Sequence, residues 1–99
     1  MKVEVKPVAY RRMLRSIRLV YGKASPETRQ RIGERILDEV NALAQRIGVS
    51  QLEPALDHLR MGHRRVVVGK FKIIYRVLKD RIIVTDIFDA RQDPKRMKG

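Results

Sequence analysis

The side chains best suited to chemistry gather in residues 61–77, MGHRRVVVGKFKIIYRV. This stretch brings His63, Arg64, Arg65, Lys70, Lys72 and Arg76 together between positions 63 and 76. An imidazole titrates near neutrality and can move a proton during RNA cleavage. Arginines can hold phosphates or carboxylates through paired N–H donors, and lysines supply compact positive charge. The same residues also fit a strand whose outward positions are simply basic. His63 follows Gly62 at an apparent turn, where a solvated or backbone-bonded ring is the simpler expectation. Tyr75 alternates with Phe71, Ile73 and Val77, so it reads as a packed tyrosine with a satisfied hydroxyl. His58 has no partner in sequence that would give it a role.

A second stretch, residues 84–97, reads VTDIFDARQDPKRM. Asp86, Asp89 and Asp93 are close enough to raise metal-assisted chemistry. Ion pairs with Arg91, Arg76 or Arg81 account for them more simply. No glycine-rich phosphate loop and no His-Glu-x-x-His pattern is present, so metal, nucleotide and cofactor chemistry find no support. No cofactor and no metal ligand is expected.

The elements that must position these residues follow from periodicity. Residues 2–6, KVEVK, alternate polar and apolar and stop at Pro7, which describes a short strand. Tyr10, Met13, Leu14, Ile17, Val20 and Tyr21 then recur at helical spacing, with Arg11, Arg12, Arg15 and Arg18 largely opposite. Gly22 is expected to end this helix in a left-handed conformation. Ser25-Pro26-Glu27 has the chemistry of a helix start: a capping hydroxyl, a proline where no N–H is needed, and an acid near the positive end. Ile32, Ile36, Val40, Leu43 and Ile47 continue as one stripe, and Gly48 is a plausible stop. Ser50 and Glu53 have capping-box spacing, predicting a short helix to about Leu59.

Three strands are expected after Gly62: residues 64–68, 71–78 and 81–88. Their short connections predict an antiparallel meander. Phe71, Ile73, Tyr75 and Val77 should face the helices. Lys72, Ile74, Arg76 and Leu78 should line a partly open face that suits binding. From about residue 90 the chain reads as irregular, or as a brief helical turn. The class is α+β, with an N-terminal strand and a helical hairpin on an antiparallel sheet, and residues 1–99 are expected to form one domain.

The formal net charge is +12, from 23 basic and 11 acidic residues, and both halves of the chain share the excess. Such a charge attracts acidic proteins or nucleic acid. Cysteine is absent, which excludes disulfide and thiolate chemistry. The start, MKVEVKPVAY, lacks the apolar core of a signal peptide, and no apolar run reaches the length of a membrane span. The cytoplasm is the expected location and no membrane partner is expected.

The run from Gly69 to Val77, Gly-x-aromatic-basic-Ile-Ile-Tyr-Arg-Val, resembles the central strand of the RelE/ParE superfamily of bacterial toxins. GHRRVVV before it and IIVTDIFDARQDP after it fit the same family, as does the order of elements. The resemblance implies a toxin neutralised by a cognate antitoxin, with which it can form a hetero-oligomer. RelE-like members cleave messenger RNA on the ribosome; ParE-like members bind DNA gyrase. For the first activity the resemblance points to His63, Arg65, Lys72 and Arg91 as catalytic candidates. For antitoxin or target binding it points to Arg64, Arg65, Lys72, Ile74, Arg76 and Arg91. The chain has no tyrosine or histidine after Tyr75, where RelE-like nucleases carry terminal acid–base groups. The resemblance is therefore closer to the ParE-like branch, with ribosome-dependent RNA cleavage as the alternative.

Overall fold

A computed structural model describes residues 1–45, 51–92 and 94–99. Its elements are β1 (Lys2–Val5), α1 (Pro7–Val20), α2 (Pro26–Asn41), β2 (Gln51–Leu52), β3 (Arg64–Val68), β4 (Phe71–Val77) and β5 (Arg81–Asp89). Short 3-10 turns occupy Leu43–Gln45, Pro54–Leu59 and Pro94–Arg96. The strands form one sheet in the order β1-β5-β4-β3-β2. β3, β4 and β5 make the expected antiparallel meander. β1 joins the sheet's edge parallel to β5, with Val3 opposite Ile82 and Val5 opposite Val84. A parallel neighbour needs a long crossover, and here the two helices and the first part of the sheet provide it.

Both helices begin on proline, whose fixed φ suits the first helical position. Ser25 caps α2 as expected, accepting from the Thr28 N–H at 3.2 Å. Gly22 differs from expectation. It is not left-handed; a Cβ there would stand 2.6 Å from the Arg18 carbonyl oxygen, so the turn requires glycine for closeness. α2 ends at Asn41 and its stripe continues through the 3-10 turn to Leu43, which is fully buried. Ile47, Gly48 and Ser50 lie outside the described residues. The predicted helix over residues 50–59 is corrected in part. Gln51 and Leu52 pair with Arg65 and Arg64 as a strand, and Pro54 opens a 3-10 turn.

The main core lies between the helices and one sheet face. Met13, Ile17, Ile36, Val40 and Leu43 meet Phe71, Ile73, Tyr75, Ile82, Val84 and Ile87. Alternation on β4 therefore places Phe71, Ile73 and Tyr75 as predicted. Tyr10 and Leu14 do not join them. Both are 44% exposed and line a groove of about 350 Å³ between α1 and α2.

The other sheet face is not open. Ile74 is 0% exposed and packs with Leu56, Phe88 and Met97. Covering it are the 3-10 turn after β2 and residues 94–99. A β-bulge opposite Ile74 and Tyr75 prepares this contact: Ile74 pairs with Asp86 and Tyr75 with Val84, leaving Thr85 as the extra residue. Thr85 Oγ1 donates to the Lys98 carbonyl at 3.0 Å, and Lys98 N–H donates to Asp86 Oδ2 at 2.7 Å. Two adjacent residues of β5 thus grip one residue of the tail. Among the described residues no helix is long and apolar enough to cross a membrane.

A clamped basic cluster on the sheet

The covered face is built around two buried carboxylates. Glu53, just before Pro54, is 3% exposed. Arg65 Nη1 donates to its Oε2 at 2.8 Å, and Lys72 Nζ donates to its Oε1 at 3.2 Å. Its backbone N–H donates to the His63 carbonyl at 2.8 Å, which continues the β2–β3 pairing by one residue. Burying a carboxylate this deeply is costly unless charged, hydrogen-bonding partners face it. Arg65 and Lys72 on neighbouring strands β3 and β4 supply them.

Asp86 is the second carboxylate and is fully buried. The expectation that it pairs with Arg91, Arg76 or Arg81 is corrected: Arg12 of α1 donates from Nε to Oδ1 at 2.6 Å. The same guanidinium donates from Nη2 to the Arg96 carbonyl at 2.9 Å and lies 5.7 Å from the Phe88 ring centre. Arg12 therefore joins α1, β5 and the tail.

His63 also differs from expectation. It is 2% exposed, and neither ring nitrogen meets a hydrogen-bond partner among the described residues. A Cβ on Gly99 would come within 3.1 Å of its Nε2, so the tail packs directly on the ring. Burial lowers its pKa, and the nearby charges of Arg76, Lys6 and His58 lower it further. Both effects favour the uncharged ring over the charged one. Tyr75 is buried as expected, but its hydroxyl has no partner among the described residues.

Arg91 stands apart from this cluster. Its Nε and Nη2 donate to Asp89 Oδ1 and Oδ2, each at 3.1 Å, and its backbone N–H donates to Oδ1 at 2.9 Å. These bonds outweigh burial and hold the Asp89 carboxyl below its usual pKa. Asp93 lies outside the described residues. Arg76 donates from Nε to the Met61 carbonyl at 3.3 Å, and Arg64 is half-buried on β3.

Of the four catalytic candidates, His63, Arg65 and Lys72 are brought to the covered face. Arg65 and Lys72 converge on Glu53, and Arg91 is engaged elsewhere with Asp89. The binding candidate Ile74 is buried under the tail, not presented on an open face, because Leu56, Phe88 and Met97 complete an apolar cluster around it. The partner of Asp86 and the roles of Glu53, Arg12 and Met97 are not assigned from the sequence. For Arg12 a signal exists: Arg11, Arg15 and Arg18 share one helix face, and Arg12 is turned away from it. For Glu53 and Met97, no local pattern marks the partner.

Among the described residues no group of three His, Cys, Asp or Glu side chains could hold a metal ion. A search of curated proteins returns no match. The family described as the ParE toxin of the type II toxin–antitoxin system, parDE, matches residues 3–94. That span takes in β1, both helices, the sheet and the Asp89–Arg91 pair, and the chain belongs to the ParE toxin family of type II toxin–antitoxin systems.

Proposed function

We propose that this toxin acts by binding DNA gyrase and blocking its work, and that it cleaves no RNA. Family membership implies a cognate antitoxin as partner; the gyrase target is our reading. One observation carries it. Arg65 and Lys72, the strand cations a nuclease would aim at a scissile phosphate, both hold the buried Glu53. Stabilising a developing phosphorane charge requires donors directed at that site, and donors committed to a buried carboxylate are poorly placed for it. The burial of His63, which disfavours its charged form, and the lack of any tyrosine or histidine after Tyr75 support the same reading.

Target and antitoxin contacts are proposed for the rim of the sheet, at Arg64, Arg76 and Arg91. The Arg91 side chain is 65% exposed even while paired with Asp89. Ile74 lies under Met97 and would reach a partner only if the tail moved aside, while Arg65 and Lys72 are engaged with Glu53. The +12 charge favours an acidic antitoxin segment.

The test uses one preparation in two assays. Supercoiling by gyrase is followed with and without the chain, and ribosome-bound messenger RNA is probed for new 5′ ends. We expect inhibited supercoiling, relieved by the antitoxin, and intact message. Cleavage at A-site codons with normal supercoiling would replace this reading with ribosome-dependent cleavage. An Arg91→Ala variant should fold and inhibit less strongly.

A further inference from the structure

α1 has a charged side that neither the core nor the clamped cluster uses. Its sequence, PVAYRRMLRSIRLV, holds four arginines and no acid. Arg11, Arg15 and Arg18 fall at i, i+4 and i+7, so they form one row of about 10 Å along the helix. All three are exposed. Beside this row, α1 and the tail enclose a small polar pocket of about 100 Å³, lined by Arg12, Arg15, Ser16, Leu19, Gln92 and Arg96.

The three arginines of this pocket are not equivalent. Arg12 is fixed, with Nε on Asp86 and Nη2 on the Arg96 carbonyl. The side chains of Arg15 and Arg96 pair with no carboxylate among the described residues. Guanidinium groups brought to one concave site repel each other unless an anion enters. Ser16 and Gln92 add neutral hydrogen-bonding groups to the wall.

We propose that this pocket binds a backbone phosphate of duplex DNA, with the Arg11–Arg15–Arg18 row following the adjoining phosphates. A tetrahedral phosphate can receive donors from several guanidinium forks at once, which suits converging arginines. A row of exposed cations on a helix without acids suits the dense negative charge of a nucleic-acid backbone. Contacts of this kind position a protein without reading sequence. The site is separate from the Glu53 cluster and does not depend on the gyrase reading.

Fluorescence anisotropy with two labelled duplexes of unrelated sequence tests this. The unmodified chain should bind both alike and weaken steeply as salt rises. A double variant, Arg15→Gln with Arg96→Gln, removes two exposed cations and spares the Arg12–Asp86 pair. Its affinity should fall about tenfold or more, and the salt slope should drop by roughly two. The control, Arg31→Gln with Arg35→Gln, removes the same charge from exposed positions on α2 and should lose less than about threefold. Circular dichroism establishes that both variants are folded. Equal losses in the two variants would overturn the proposal, because net charge alone would explain binding. It would also fail if neither duplex bound, or if a poly-glutamate peptide or single-stranded RNA bound through Arg15 and Arg96 while duplex DNA did not.

Discussion

The two faces of the sheet are held by different physics. Toward the helices, Phe71, Ile73, Tyr75, Ile82, Val84 and Ile87 meet aliphatic side chains of α1 and α2 in a continuous apolar core. Away from them, Ile74 and Phe88 share a smaller cluster with Leu56 and Met97, framed by Glu53, Asp86 and His63. The first face is closed by amphipathic helices. The second is closed by short segments from distant parts of the chain, fixed by ion pairs and backbone bonds. A face closed by regular helices tolerates little loss of volume. A face closed by a tail depends on whether that tail stays in place.

Adjacent residues of β4 let the two be compared directly. Ile73→Ala should cost about 2–5 kcal/mol, since Ile73 is fully buried in the larger core. Ile74→Ala should cost about 2–4 kcal/mol on its own face, measured by denaturant unfolding. Truncation after Gln92 should reduce the cost of the Ile74 change and leave that of Ile73 nearly unchanged. Such a double-mutant cycle isolates the coupling. A cost below about 0.5 kcal/mol for Ile74→Ala in the full chain would mean that its face is open after all.

Asp86→Ala removes the partner of Arg12 and of the Lys98 N–H together. Because the Arg12 side chain keeps some solvent access, the expected loss is about 2–3 kcal/mol, below that for a fully buried pair. Met97→Ala should cost less, about 1–2 kcal/mol, from the rim of the smaller cluster. If the Asp86 change were smaller than the Met97 change, apolar packing rather than ion pairing would hold the tail.

The helix-facing side was legible in the sequence because each element carries its own period. Ile36 and Val40 repeat at helical spacing, and Phe71, Ile73 and Tyr75 alternate. The opposite side shows no such mark. Ile74 beside cations resembles an exposed strand position until Met97, 23 residues later, is known to cover it. Likewise Arg12 and Asp86 stand 74 residues apart. The basic residues themselves were readable, and so was the pairing of Arg91 with Asp89, but the commitments of Arg12, Arg65 and Lys72 were not. A long-range ion pair has no period, and the bulge at Thr85 that lets the strand grip Lys98 leaves no distinctive residue behind.

The smallest expected effect concerns pH. The folded-state pKa of His63 is lowered, so the unfolded chain binds the proton more readily. Its neutral form therefore supports folding fully above the unfolded pKa of about 6.5. That support is lost as pH falls toward the lower folded value. Asp89 acts lower on the scale: its contribution is present above the ordinary carboxylate pKa and declines as pH falls through its depressed one. A His63→Gln variant should show a flatter stability profile below about pH 6.5 than the unmodified chain. Identical profiles would mean that His63 is as accessible to protons in the folded state as in the unfolded one.

Lys72 holds Glu53, and on the proposed reading it does not act on RNA. Lys72→Met keeps most of the aliphatic stem and removes the charge. Once circular dichroism shows that it is folded, its potency against gyrase supercoiling is measured beside that of the unmodified chain, with ribosome-bound message probed in parallel. Half-inhibitory concentrations should lie within about threefold of each other, a difference under about 1 kcal/mol, with no new RNA ends from either protein. Cleavage of message by the unmodified chain, abolished in the folded Lys72→Met variant, would contradict that reading.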